Sequence, residues 1–314
     1  MENKQIEYIL EIAKEQNIAR AAQNLGISRS ALNYYLLNLE KQFGIPLFHR
    51  IKGNMLPTDA GKLYIEYGRK ILELQQDCNI ALRDMSDGNT GVMHLGVTYG
   101  LGQRMFTAAL PDFNQEFPRY EIKLFEANVN ELVRALIDGE IDLMWGAIYQ
   151  PIPELQHILL DTSPLMLVVP EKMAKHPFDP KTRFGEAPVD IRAYRDIPYS
   201  FLNESALVRS MIDELFHETD ITPRIIFEGG RFRMMEDAAQ TGVSATILPK
   251  VMCNCMRDVV YYEIAPKKDF SLAISHRKGA YLSHAEKYYI DLLRKHLSHI
   301  IPYYEHGEQH ALQL

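Results

Sequence analysis

At 314 residues, with 46% hydrophobic and 24% charged side chains, the chain is too long for one simple core and suits two or three domains of roughly 100–200 residues, which excludes a disordered or fibrous protein. The formal net charge of −7 excludes a protein that is basic throughout. Residues 1–57 nevertheless hold seven Lys/Arg against five Asp/Glu, so the remainder carries −9 (−7 less +2), as a basic reading head on an acidic body would.

The opening run MENKQIEYILEIAKEQ scatters charges where a signal peptide needs an uninterrupted apolar stretch. No window approaches the roughly 18 apolar residues of a membrane span. Three cysteines, Cys78, Cys253 and Cys255, are too few for a disulfide framework, and a reducing cytoplasmic location is expected. Ile6, Ile9, Leu10 and Ala13 recur at helical spacing and predict a first helix ending near Gln16. Asn17 is an N-cap candidate for a second short helix with Ile18, Ala21, Ala22 and Leu25 on one face. Gly26 ends it, and Ser28 opens a third helix with Ala31, Leu32, Leu36, Leu39 and Phe43 inward.

Helix, glycine corner and helix make a helix-turn-helix, because small alanines allow close approach and Gly26 supplies a positive φ. The second helix of such a pair lies in the major groove, here with Arg29, Ser30, Asn33 and Tyr34 outward. Asn33 suits adenine and Arg29 guanine, at about 1–3 kcal/mol of discrimination each, while Ser28 and Ser30 suit phosphates. A plain helical hairpin satisfies the same spacing. Against it stands the segment Gly44–Thr58, in which Leu47-Phe48 precede a basic turn at Arg50, Lys52 and Gly53. Such a turn reads as a wing whose cations reach phosphates or the minor groove.

The run Asn17–Glu40, followed by Gly44, Leu47-Phe48, Arg50 and Thr58-Asp59-Ala60-Gly61, resembles the LysR-type transcriptional regulators, and the rest of the chain does so more loosely to about residue 300. That resemblance implies an α+β multidomain protein: an N-terminal winged helix-turn-helix (1–58), a dimerising linker helix (59–88), a two-lobed α/β sensor like the periplasmic binding proteins (89–301; lobe I 91–161 and 269–301, lobe II 162–268) and a tail (302–314). It also implies a homodimer or homotetramer, a small-molecule effector, and RNA polymerase as a further partner. The DNA-contact set becomes Asn17, Arg20, Ser28, Arg29, Ser30, Asn33, Tyr34, Arg50 and Lys52. Arg29, Tyr34 and Tyr35 depart from the family's common residues, so its operator preference does not carry over.

Thr58 is placed to cap a helix from about Asp59 to Met85, in which Tyr64, Tyr67, Ile71, Leu74, Cys78, Ala81 and Met85 alternate at steps of three and four. This is the a/d pattern of a coiled-coil seam, although one amphipathic helix packed on its own domain would share it. A break at residues 86–91 marks the domain boundary. Strand and helix patterns then alternate, with Val92–Val97, Leu101–Phe117 interrupted or kinked at Pro111, Tyr120–Phe125, Asn130–Asp138 and Ile141–Ala147 making lobe I. A second set starts at Pro164–Val169 and continues through Pro198–Leu202, Ser205–Glu218, Arg224–Glu228, Met234–Thr241 and Ala245–Leu248. Leu272–Ser275 and a terminal helix His284–His299 return to lobe I.

Ligand contacts are expected where helices start after strands, at Thr98, Tyr99, Asn128, Asn203, Ser205, Arg231 and Arg233. Either arginine suits the carboxylate of a small organic acid, while Glu204 leaves an amine or neutral effector open. No catalytic, cofactor or metal residue is assigned: no zincin or serine-hydrolase string occurs, and Cys253-Asn254-Cys255 lacks a second ligand pair. The competing reading is a solute-binding or enzymatic α/β protein that does not bind DNA.

Overall fold

The computed structural model describes residues 2–51, 53–86, 89–148 and 150–300. Lys52, residues 87 and 88 of the expected boundary, and the tail 302–314 lie outside the described residues. Two compact units divide the chain, Met1–Ser86 and Asp87–Leu314.

In the first unit α1 (Asn3–Glu15), α2 (Ile18–Asn24) and α3 (Arg29–Phe43) enclose one apolar core. Helix α1 starts earlier than its apolar spacing predicts, and its buried face is Ile6, Tyr8, Ile9 and Ile12. Asn17 caps α2, its side chain accepting from the amides of Ala19 and Arg20 at 2.9 and 3.2 Å. Gly26 takes φ +66° at the corner, and the Ser28 hydroxyl accepts from Ala31 N at 3.1 Å to open α3. Strands β1 (Phe48–Ile51) and β2 (Asn54–Pro57) form the antiparallel hairpin of the wing. Glu40 on α3 holds its entry, accepting from Leu47 N and Phe48 N. Its exit is tied by Met55 N donating to Gln16 O at 2.7 Å.

Helix α4 (Asp59–Ser86) leaves the wing without a break. Thr58 caps it, accepting from Gly61 N at 3.0 Å while donating to Pro46 O at 2.8 Å. Gly61 is buried so tightly that a Cβ there would come within 2.0 Å of Leu47 O. Gly68 likewise admits Ile6 of α1, whose methyl would stand 2.8 Å from a Cβ. The first turns of α4 thus belong to the head's core.

In the second unit β3 (Thr90–Thr98), α5 (Leu101–Glu116), β4 (Arg119–Ala127), α6 (Val129–Ile137) and β5 (Leu143–Ile148) build a parallel β-α-β lobe. Helix α5 runs through Pro111 uninterrupted. Strand β6 (Leu155–Pro170) then crosses into the second lobe as one run of 16 residues. The expected fresh start at Pro164 is therefore mid-strand: pairing passes there from β12 (Asp269–Arg277), opposite residues 155–164, to its next partners, opposite 165–170. A proline fits this exchange because it has no amide to contribute to either ladder.

The second lobe holds β7 (Val189–Asp190), β8 (Pro198–Leu202), α7 (Leu207–Glu218), β9 (Arg224–Gly229), α8 (Phe232–Gln240), β10 (Thr246–Pro249) and β11 (Val259–Ala265). Strand β11 pairs antiparallel with β6 and continues through residues 266–268 into β12, so two long strands carry the chain between the lobes. Helix α9 (His284–Ile300) packs back on α5. Strands β11 and β7 and the first half of β6 are additions to the elements expected from sequence.

Candidate DNA interface and ligand cleft

The outward face of α3 presents Arg29, Ser30 and Tyr34 to solvent, Tyr34 at 63% exposure. Ser28 and Ser30 hydroxyls bond each other at 3.0 Å. Tyr34 packs edge-on to Tyr35, which packs edge-on to the buried Tyr8, so this part of the face is stiffened from within. Asn33 and Arg50, expected to act separately on bases and phosphates, are joined: the Arg50 guanidinium donates to Asn33 Oδ1. Two further candidates have structural employment. Asn17 Oδ1 is occupied by the cap of α2, and Arg20 is anchored to Glu15 through its carboxylate at 3.3 Å and its carbonyl at 2.8 Å.

Along α4 the expected seam separates into two parts. Tyr64 is 8% exposed, packed into the head's core with its ring edge-on to Phe43, and is withdrawn from any partner helix. Phe43, expected to be buried, is itself 44% exposed, so this aromatic pair sits at the core's edge. Tyr67, Ile71, Leu74, Cys78 and Met85 remain exposed and Ala81 partly so, with Leu63 and Leu82 beside them. A row of apolar side chains on a water-facing helix is the pattern of an unfilled helix–helix contact.

In the second unit a cavity of about 620 Å³ lies between the lobes. It brings together all seven residues expected at a ligand: Thr98, Tyr99 and Asn128 from the first lobe, Asn203, Ser205, Arg231 and Arg233 from the second. Glu204 does not line it. Four helices begin at its rim, as open α/β sheets dictate. The start of α6 is closed by its own capping box, Asn128 Oδ1 accepting from Glu131 N at 3.0 Å. By contrast α7 and α8 start at Ala206 and Arg231 without a side-chain cap. Arg231 lies across the cleft with its guanidinium carbon 3.8 Å from the Tyr99 ring centroid. Arg233 is paired with Asp237 at 2.9 Å.

Sequence reasoning misses three wall residues of consequence. Trp145 on β5 is 1% exposed, borders the cavity, and its indole N–H has no acceptor. Gln103 lines the wall and donates to Glu126 at 2.6 Å. Met252 comes from the loop after β10. That loop is pinned by Glu236, fully buried on α8, which accepts from Asn254 N at 2.7 Å, Tyr261 Oη at 2.6 Å and the Asn254 side chain. A lone tryptophan in an apolar strand signals core, which Trp145 is, and nothing local places that core beside a cavity; a glutamate in a polar helix signals solvent, a reading that tertiary packing reverses at Glu236. In the same loop Cys253 is buried, and burial pushes its thiol well up. Burial, then the Glu236 carboxylate, pushes Cys255 up to about 11, the reverse of what a reactive thiol needs. Among the described residues no cluster of three or more His, Cys, Asp or Glu is arranged to hold a metal.

Residues 3–62 match the model for the bacterial regulatory helix-turn-helix proteins of the lysR family, and residues 86–298 match the LysR substrate binding domain. The chain belongs to the LysR family. Among curated LysR-like relatives it is 26% identical to the HTH-type transcriptional regulator YcgK of Bacillus subtilis (strain 168), covering 95% of each chain. It is also 26% identical to a probable RuBisCO transcriptional regulator of Trichormus variabilis, over 78% of this chain and 72% of that protein. Solved structures share the LysR architecture at lower identity. A full-length OxyR variant from Pseudomonas aeruginosa superposes with a TM-score of 0.66 at 20% identity, covering 96% and 95% of the two chains. CbnR, a LysR family transcriptional regulator, gives 0.54 at 20% identity over 94% and 99%. Winged helix-turn-helix and two-lobed α/β sensor are thus the architecture of this chain, and no helix among the described residues is long and apolar enough to cross a membrane.

Proposed function

We propose that this LysR-family regulator is a non-enzymatic, cytoplasmic protein that binds double-stranded DNA sequence-specifically and answers to a small molecule held in the cleft. One observation carries the reading: an exposed recognition helix flanked by a basic wing shares a chain with a 620 Å³ cavity whose rim gathers four helix starts. Ser28, Arg29, Ser30, Asn33, Tyr34 and Arg50 are the proposed DNA contacts, and Lys52 belongs with them by its place in the sequence. Arg20 and Asn17 act indirectly, by setting the angle of α2. Thr98, Tyr99, Asn128, Asn203, Ser205, Arg231 and Arg233 are the proposed effector contacts.

Two chains pair along the outer face of α4 through Tyr67, Ile71, Leu74, Cys78, Ala81 and Met85, with a homotetramer as the larger assembly and RNA polymerase as a further partner. Paired heads then read half-sites about 34 Å apart, an interrupted inverted repeat. Support for DNA as the ligand of the head comes from a relative: CbnR has been solved in complex with its target DNA, and it matches this chain with a TM-score of 0.50. The test is a gel-shift titration on the DNA upstream of the protein's own gene at rising salt. Specific retardation that falls steeply with salt is expected; equal affinity for random DNA of the same length would refute sequence-specific regulation.

A further inference from the structure

Side chains that enter the major groove of DNA meet a floor of neutral base edges between two rows of phosphate. Helix α3 carries its charges in the matching places. Arg29 stands in its first turn and Lys41 in its last, both exposed, and Arg50 reaches Asn33 from the wing. Between those ends, from Ser30 to Leu39, no residue is charged. Guanine is read best by the cation of an arginine or lysine, and the amino group of cytosine by a carboxylate. Past its first turn the helix itself has neither tool; it has Asn33, which suits adenine, and apolar surface.

That apolar surface is the second observation. Tyr34 is 63% and Leu37 52% exposed, and a separation of three residues puts them on one face. They stand about 4.5 Å apart along the helix axis, close to the base step of about 3.4 Å on one strand. The apolar group that the major groove offers is the C5-methyl of thymine. Tyr34 is also braced: its ring meets Tyr35 edge-on with centroids 6.3 Å apart, and Tyr35 meets the buried Tyr8 edge-on at 5.2 Å. A ring held against the head's core has little rotamer freedom left to lose on docking.

Resting on the reading of the head as a DNA reader, we infer that Tyr34 and Leu37 recognise thymine by its methyl group. Asn33 takes an adenine beside them, so the base pairs under the middle of α3 are A·T rather than G·C. The cations at the two ends and on the wing hold the phosphates that flank this stretch.

Uracil in place of thymine deletes the methyl and leaves every phosphate and hydrogen-bonding edge unchanged. The full chain is footprinted on the DNA upstream of its gene, and the protected segment is made as thymine and as uracil duplexes for gel-shift titration. The uracil duplex is expected to bind about fourfold more weakly for each methyl covered. Duplexes with a single uracil place the loss at one position or two adjacent ones. The Tyr34→Ala, Leu37→Ala double variant binds the two duplexes alike, and its salt dependence matches that of the unaltered chain, because no phosphate contact is removed. Tyr34→Phe keeps the ring and with it the preference for thymine.

Equal affinity of the unaltered chain for the two duplexes overturns the inference. So does a loss spread evenly along the segment, which is the signature of altered DNA deformability rather than contact. A preference that survives the double variant, or one that Tyr34→Phe abolishes, overturns it as well. Were the exposed stripe a contact with a second copy of this chain, the methyls would have no effect and the double variant would sediment as a smaller species. Failure to retard the thymine duplex removes the DNA reading and this inference together; retardation indifferent to the methyls removes this inference alone.

Discussion

At the wing, Arg50 donates to Asn33 Oδ1, the atom that would accept from an adenine amino group. One side chain must therefore release or share the other when DNA arrives, so the two act as a unit. Asn33→Ala is expected to relax sequence choice and Arg50→Ala to weaken binding to every sequence. Because they touch, the double variant should lose less than the two single losses added, by about 1 kcal/mol, in gel shifts on operator and random DNA. Strict additivity would show the contact to be idle in the complex. In the second unit, Glu236→Ala leaves the buried Tyr261 hydroxyl and the part-buried Asn254 backbone amide without their acceptor, and should lower unfolding free energy by about 2–4 kcal/mol in urea titrations. Neither the Arg50–Asn33 contact nor the anchoring by Glu236 is visible in the sequence, where Asn33 stands 17 residues from Arg50 and Glu236 is one acid among several.

Elements whose chemistry is local are the legible ones. The Asn17 and Ser28 caps, the positive-φ Gly26 and the Thr58 cap each encode their geometry within three residues, and α2, α3 and α4 begin where those signals stand. Strand β6 escapes such reading because Pro164 resembles a terminator until one sees that it occupies the point where partner strands change. Strand β11 contains the buried run Val259–Tyr262, and its β-rich composition carries a signal that the loop chemistry on either side obscures. In α4 the heptad pattern is legible but its audience is not: Tyr64 serves its own core, whereas Leu74 is 68% exposed. Leu74→Asp is accordingly expected to split the proposed dimer with little change in monomer stability, as read by sedimentation velocity. An unchanged sedimentation coefficient would place the contact elsewhere. Gly61→Ala should destabilise the head by at least about 2 kcal/mol in thermal or urea unfolding, because its methyl would enter the space of Leu47 O, backbone that has little freedom to retreat.

Over the whole molecule, the alternation of strand and helix makes the two-lobed plan and the rim of the cleft legible, since ligand positions in open α/β sheets follow from topology. The floor of the cleft is not legible, because Trp145 is brought to it by sheet order. Stability as a function of pH is also a property of the assembled lobes. Burial, with the neighbouring His276 second, holds His157 below the usual imidazole range, and burial does the same to His276. Both rings therefore favour the neutral form more in the fold than in the unfolded chain, and their contribution is fully present above about pH 6.5 and eroded as the pH falls below it, where the unfolded chain takes up protons first. Urea midpoints should drop between about pH 7 and pH 5, and less so in a His157→Gln, His276→Gln double variant.

The seating of Gly61 against Leu47 has a mechanical corollary. With a backbone carbonyl filling the place of a side chain, and Thr58 fastened to Pro46 and Leu47 by hydrogen bonds of 2.8 and 2.9 Å, no slack separates the long helix from the hairpin beside it. Torque applied to that shaft therefore reaches the base of the hairpin directly, as through a gear without backlash.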